Sequence, residues 1–196
     1  MKTYKINEIF YSIQGEGARA GSANVFIRFA GCDLACGFCD TEFESGRHMT
    51  AQEVADEALR LMPRFPSVIL TGGEPTLQYD EELSLAFQSR EIDVAIETNG
   101  NNPLKAPVDW ISCSPKVADH IVAKNFPKGM DEIRYVRHPG QGIPEARGIT
   151  AINRFVSPQF RGEVLDRKSL EHCIRLVRAN PLWRLSVQQH KLWRVR

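Results

Sequence analysis

The chain has 196 residues, 42% of them hydrophobic and 25% charged, and carries a net charge of +1. This is the balance of a folded globular protein, which argues against a disordered chain and against a basic nucleic-acid binder. No apolar run approaches the ~20 residues that a membrane span requires.

The length suits one domain over residues 1–196. Residues 24–30 read as a buried strand ended by Gly31. Thr50 with Glu53 three residues on has the form of a capping box. Val54, Ala58, Leu61 and Met62 then repeat at helical spacing until Pro63. A second strand over 67–71 is closed by Gly72 and Gly73, and a short helix follows over 80–88. Further strands are predicted at 93–97, 110–113, 132–136 and 152–156. Leu170, Cys173, Ile174 and Val177 share one helical face, and 184–187 reads as a last short strand. Such βα alternation implies an α/β fold with about six or seven mainly parallel strands. Seven strands at most, joined by short helices, predict an incomplete (β/α) barrel. In such sheets ligands gather at the carboxyl ends of the strands. Arg184, Lys191, Arg194 and Arg196 make the C-terminal end basic, which also suits a solvated surface.

Three of the five cysteines, Cys32, Cys36 and Cys39, lie on one loop after the first predicted strand. The N-terminal residues have no apolar export segment, so a reducing cytoplasm is expected, where thiols bind metals more readily than they pair. The C-x3-C-x2-C spacing suits three corners of an iron–sulfur cluster, with the fourth iron left for another ligand. Zinc remains open on spacing alone, with His48 as the nearest fourth ligand, although structural zinc favours paired ligands. Cys113 and Cys173 fall on apolar elements and read as buried, inert thiols.

Phe38 before the last cysteine of the triplet, together with Thr71-Gly72-Gly73-Glu74-Pro75 after the second strand, resembles the radical S-adenosylmethionine (SAM) enzymes. The resemblance implies a 4Fe–4S cluster on Cys32, Cys36 and Cys39 that binds SAM and splits it into methionine and a 5′-deoxyadenosyl radical, on a barrel of the radical SAM type. Residues 7–17, 26–32, 39–41 and 183–191 are further similar to the 7-carboxy-7-deazaguanine synthase family, so the match runs over nearly the whole chain. That family is a group of carbon–nitrogen lyases. With Mg²⁺ they convert 6-carboxy-5,6,7,8-tetrahydropterin to 7-carboxy-7-deazaguanine and release ammonia, on the route to queuosine and related 7-deazapurines of tRNA or DNA.

Residue by residue, the resemblance implies substrate contacts at Ile13, Gln14, Gly15, Glu16, Arg28, Thr71, His190 and Arg196. Arg28 is the carboxylate-binding arginine of that set, a role that suits a planar guanidinium. It also falls in an otherwise apolar strand, where a charge needs a partner. Thr41 is implied as a ligand to Mg²⁺, an ion that keeps waters and takes oxygens from its substrate. SAM contacts are implied at Phe38, Cys39, Asp40, Gly73, Glu74, Ser114, Pro115, Lys116, Ser157, Pro158, Gln159 and Phe160. Glu74 is expected to accept from an ammonium group. Ser157 departs from the glutamine usual in the family, and its shorter side chain is expected to lose or reroute a contact. The family further implies a flavodoxin or ferredoxin as electron donor and a homodimer, with no direct nucleic-acid or membrane partner. A glycyl-radical activating enzyme, which shares the cysteine spacing, is the alternative. It would need neither Ile13 to Glu16, nor Arg28, nor the His190-Lys191 tail. A non-catalytic metal module would not need residues 72–75.

Overall fold

A computed structural model describes residues 2–37 and 42–195. In chain order its elements are β1 (Tyr4–Ile13), β2 (Ala23–Phe29), β3 (Arg47–Met49), α1 (Ala51–Leu61), β4 (Ser67–Gly72), α2 (Glu81–Gln88), β5 (Asp93–Thr98) and β6 (Trp110–Cys113). They continue with α3 (Asp119–Asn125), β7 (Met130–Arg137), β8 (Ala151–Pro158), β9 (Phe160–Arg161), β10 (Val164–Leu165), α4 (Arg167–Ala179), β11 (Arg184–Leu185) and α5 (Gln189–Trp193).

Among the described residues, nine strands form one sheet in the order β11-β8-β7-β6-β5-β4-β2-β1-β3. The seven from β2 to β11 run parallel and coincide with the seven strands expected from the sequence. Both β3 and β11 end the order unpaired with each other, so the sheet is an incomplete (β/α) barrel. The expected limit of seven strands needs correction. β1 and β3 add two antiparallel strands at one edge, and β9 and β10 make a small separate hairpin. A register shift between Ile6 and Glu8 interrupts the pairing of β1 with β2. A bulge of that kind re-aims the side chains that follow it. α3 and α5, with no side-chain N-cap and only seven and five residues, were not expected either.

The outer helices cover the sheet by the usual amphipathic logic. α1 starts at the predicted capping box, Thr50 accepting from the Glu53 amide and Glu53 from the Thr50 amide. It buries Ala51, Val54, Ala55 and Ala58 against a core that includes Tyr4, Ile27 and Val68. A second core under β6, β7 and β8 gathers Cys113, Ile133, Tyr135, Val156 and Cys173. Burying a side chain such as Ile27 or Val156 contributes roughly 1.5–3 kcal/mol relative to leaving it exposed. These two cores fix the register of the strands, and the register places the site.

Candidate active site

Polar side chains on six neighbouring strands occupy one lateral row of the sheet. Glu8 on β1 stands opposite Arg28 on β2, and Arg28 opposite Thr71 on β4. Thr71 Oγ1 donates to Glu97 Oε2 on β5 at 3.1 Å. Glu97 is in register with Ser112 on β6, and Ser112 with Glu132 on β7, where the serine hydroxyl donates to Glu132 Oε1 at 2.7 Å. Such a row inside a sheet would be costly to bury without partners, and here the members partner one another.

Glu8, Arg28, Thr71 and Glu97 of this row line a 620 Å³ cavity. Every described residue with a predicted substrate contact lines it: Ile13, Gln14, Gly15, Glu16, Arg28, Thr71 and His190. Arg28 donates from Nε to Glu8 at 2.9 Å and packs over Phe10, which stacks on Phe26 at 5.2 Å. That pairing uses one of the five guanidinium N–H groups. His190 arrives on α5, which is held to the first loop because Gln189 N donates to Gly15 O at 3.0 Å. Arg196 lies outside the described residues.

Gln14 is a brace more than an open amide. Its Nε2 donates to Glu97 Oε1 at 2.9 Å, and its Oε1 accepts from the Glu16 amide at 3.1 Å. Behind it lies Arg134 on β7, with 7% of its side chain exposed. Arg134 Nη2 donates to Glu97 Oε1 at 3.0 Å. Its Nη1 is 3.6 Å from Glu16 Oε2 and its Nε 3.5 Å from Glu132 Oε1. Burial alone would push the Glu97 carboxyl up. The Arg134 charge, with hydrogen bonds from Gln14, Arg134 and Thr71, reverses this and holds it below the usual carboxylate range. Burial likewise disfavours the Arg134 charge, and Glu16, Glu97 and Glu132 together raise its pKa above the ordinary arginine value. Gly17 lets the chain pass over this group. It has φ of +69°, and a Cβ there would overlap the Glu132 carboxylate.

The cysteine loop lies at the carboxyl end of β2. Cys32 and Cys36 carry free thiols and are half-buried. Cys39, with Phe38, Asp40 and Thr41, lies outside the described residues. Asp33 is clamped by three amides from the loop after β5: Asn99 at 3.2 Å, Asn101 at 2.7 Å and Asn102 at 2.7 Å. Gly73 sits against the start of the loop, so closely that a Cβ would overlap the Gly31 carbonyl oxygen. The Gly73 amide donates to Phe29 O, and that of Glu74 to Gly31 O. His48, the one nearby alternative ligand, pairs in β3 and contacts Thr3.

Glu74 differs from its expectation. It is 1% exposed and faces into the protein. Its carboxylate accepts from the Thr76 amide and hydroxyl, the Thr98 hydroxyl and the Asn99 amide. Burial raises its pKa and these donors partly offset the rise. Its geometry is that of an anchor between two loops, not of an exposed acceptor for an ammonium group. Ser114, Pro115 and Lys116 follow β6, and the Lys116 ammonium donates to Ser114 O and Oγ. Ser157 and Pro158 end β8 and are buried, with Ser157 Oγ lacking a hydrogen-bond partner among the described residues. Gln159 O accepts from the Asp166 amide, and Phe160 packs under Lys191. Cys113 and Cys173 are fully buried. Burial pushes their thiols up, to about 12 and about 11.

This arrangement can be set beside known proteins. A profile of the Radical SAM superfamily matches residues 26–135. A 7-carboxy-7-deazaguanine synthase from Bacteroides thetaiotaomicron is 41% identical over 98% of both chains. The chain belongs to the 7-carboxy-7-deazaguanine synthase family. Synthases of that name from Bradyrhizobium diazoefficiens and Bordetella pertussis are each 36% identical, over 96% of this chain and 97% of theirs. The crystal structure of QueE from Escherichia coli is 22% identical and superposes with a TM-score of 0.75, covering 95% of this chain and 94% of that one, which shows a shared fold. Membership of the radical SAM superfamily implies SAM and a 4Fe–4S cluster. The donor set suits the cluster: two free, accessible thiols stand on one loop with the third cysteine of the motif three residues on. No described helix is long and apolar enough to cross a membrane.

Three residues of this synthase family member carry no functional expectation from sequence: Glu97, which lines the cavity, and Glu132 and Arg134 behind it. All three fall inside strands that the sequence predicts. The available signal was opposite charges two residues apart, Glu132 and Arg134, in an otherwise apolar strand, pointing to one face.

Proposed function

We propose that this chain catalyses the radical SAM, Mg²⁺-dependent conversion of 6-carboxy-5,6,7,8-tetrahydropterin to 7-carboxy-7-deazaguanine with release of ammonia. One observation carries the reading. One cavity is lined both by carboxylates, Glu16 and Glu97, and by the Arg28 guanidinium, which stands two strands away from Glu97 in the sheet. A ligand that satisfies both has a donor-rich N–H edge and an anionic group, as a carboxylated pterin does. The carboxylates accept from the amino and ring N–H groups, and Arg28 grips the carboxylate with donors that Glu8 leaves free. The stacked Phe10 and Phe26 form an apolar wall, which keeps water from the ring.

The cluster and SAM, when bound, supply one-electron chemistry that removes a hydrogen atom from carbon. Cys32, Cys36 and Cys39 would hold the cluster. Gly73, Ser114, Pro115, Lys116, Ser157, Pro158, Gln159, Phe160, Phe38 and Asp40 would border SAM, and Glu74 would brace that border from inside. Thr41 would ligate Mg²⁺. A flavodoxin or ferredoxin as donor, a homodimer, one domain over the whole chain and a cytoplasmic location complete the reading. The polar lining of the 620 Å³ cavity, with Gln14, Glu16, Arg28 and Glu97, favours a small polar substrate over the protein loop that a glycyl-radical activating enzyme must admit.

Anaerobic reconstitution with iron and sulfide, followed by assay with SAM, a reductant, Mg²⁺ and the carboxytetrahydropterin, tests it. Both 5′-deoxyadenosine and the ring-contracted product are expected. Deoxyadenosine without that product removes the deazapurine assignment.

A further inference from the structure

Three carboxylates converge on one buried guanidinium beneath the cavity, and they are not equivalent. Glu132 accepts from the Ala18 amide and the Ser112 hydroxyl. Glu97 accepts from Gln14, Thr71 and Arg134, so three of its roughly four acceptor positions are filled. Glu16 is different. Among the described residues no donor hydrogen-bonds to its carboxylate, and Arg134 Nη1 is its sole ion-pair partner, at 3.6 Å. Nη1 has no hydrogen-bond partner either, although it is buried. The structure thus holds an unbonded carboxylate at the cavity surface beside an unbonded donor just beneath it.

We propose that Arg134 is a positioning residue: without touching the ligand, it keeps Glu16 open and aimed to accept from the ligand's N–H edge. A ligand that pulls Glu16 into line would let the Nη1 contact shorten into a hydrogen bond, so the two unmet groups are satisfied together. Removing the guanidinium leaves three carboxylates facing one another, with Lys116 near Glu16 and with Arg28, His190 and Lys191 around the cavity. Like charges at such range disfavour ionisation, and one carboxyl takes up a proton. A protonated carboxyl donates where the ligand needs an acceptor. Gln14 would transmit the fault, because it spans Glu97 and the Glu16 amide.

The inference rests on the pterin reading, and the test separates the two. Pterin-6-carboxylate serves as a fluorescent ligand for full-length wild type, Arg134→Met and Arg134→Lys, without SAM. Wild type binds with an affinity that is flat from neutral to mildly acidic pH. Arg134→Met binds about 10–100-fold more weakly at neutral pH, and its affinity falls further as pH drops. Arg134→Lys keeps a cation but cannot bridge two carboxylates. It binds several-fold more weakly with the wild-type pH profile. Failure of wild type to bind this probe overturns the pterin reading alone.

A ligand-free measurement then decides on Arg134. Infrared spectra of protein with isotope-labelled glutamate show a protonated carboxyl at neutral pH in Arg134→Met, and none in wild type or Arg134→Lys. Its absence from folded Arg134→Met, or binding by that variant within twofold of wild type with the same pH profile, overturns the inference. If the Met variant does not fold, the Lys variant decides, and unchanged affinity overturns it.

Discussion

The cavity floor and the cysteine loop are neighbours along β2, which carries Arg28 and leads into the loop, yet they are held by different means. The floor is built by strand register. Glu8, Arg28, Thr71, Glu97, Ser112 and Glu132 come into one row because two hydrophobic cores fix six strands against one another. Its groups are largely buried, and Gln14 and Arg134 lock them together. The loop is held from outside. Three asparagine amides grip the exposed Asp33, Gly73 allows close backbone contact, and the thiols of Cys32 and Cys36 stay accessible. The recognition end is therefore preorganised by the fold, which makes ligand selection inexpensive in ordering entropy. The reactive end keeps the access that insertion of a metal cluster requires.

If the two ends are separable, substitutions should sort by end. Cys36→Ala has the largest effect. It removes a cluster ligand, so reconstituted protein loses iron and turnover, while pterin-6-carboxylate still binds. Loss of pterin binding in this variant would break the separation. Arg28→Ala acts at the other end. A charged hydrogen-bonding partner is worth about 1.5–3 kcal/mol, so affinity should fall about 10–100-fold with iron content and cluster absorbance unchanged. Unchanged affinity would remove Arg28 from the carboxylate role. Gly73→Ala sits where the ends meet, since its amide bonds the residue after Arg28 and its Cα abuts Gly31. Forcing a methyl group against that carbonyl costs about 1–3 kcal/mol, read as a lower melting temperature and reduced iron uptake.

The same division explains what sequence can reveal. The cysteine triplet is local: its chemistry lies in spacing along eight positions, and Thr71 to Pro75 adds a second local pattern. The parallel strands were legible because each is an apolar run bounded by turn residues. The floor was not, because its logic is lateral. Glu97 and Arg134 meet across 37 positions of sequence, and neither has an opposite charge beside it in sequence that shows the pairing. Gln14 and Arg28 were singled out by resemblance, yet resemblance did not show that Gln14 braces Glu97 or that Arg28 shares its guanidinium with Glu8. β1 went unrecognised because its bulge near Asn7 breaks the alternation that marks a strand. Sequence suggests Glu74 as an acceptor for an ammonium group, because nothing local shows that Thr76, Thr98 and Asn99 close around it.

The Asp33 clamp should have the smallest effect and the sharpest pH signature. Partial desolvation raises the Asp33 carboxyl, but hydrogen bonds from Asn101, Asn102 and Asn99 outweigh it and lower the pKa. A carboxyl lowered in the folded state adds stability above its unfolded pKa, near 3.9, and loses it as pH falls through the lowered value. At neutral pH the clamp is therefore fully engaged. Because Asp33 is exposed, its contribution is under about 1 kcal/mol. Asp33→Ala should lower the melting temperature slightly at neutral pH and speed amide exchange in the segment holding Cys32 and Cys36. The melting difference from wild type should shrink towards zero below about pH 4. Pterin binding should not change, since no clamp residue lines the cavity. A difference that persists undiminished into acid would mean the carboxylate is not what holds the loop. Altered pterin affinity would mean the loop and the floor are coupled after all, through Glu74, which bonds the Asn99 amide on one side and receives the Thr98 hydroxyl beside Glu97 on the other.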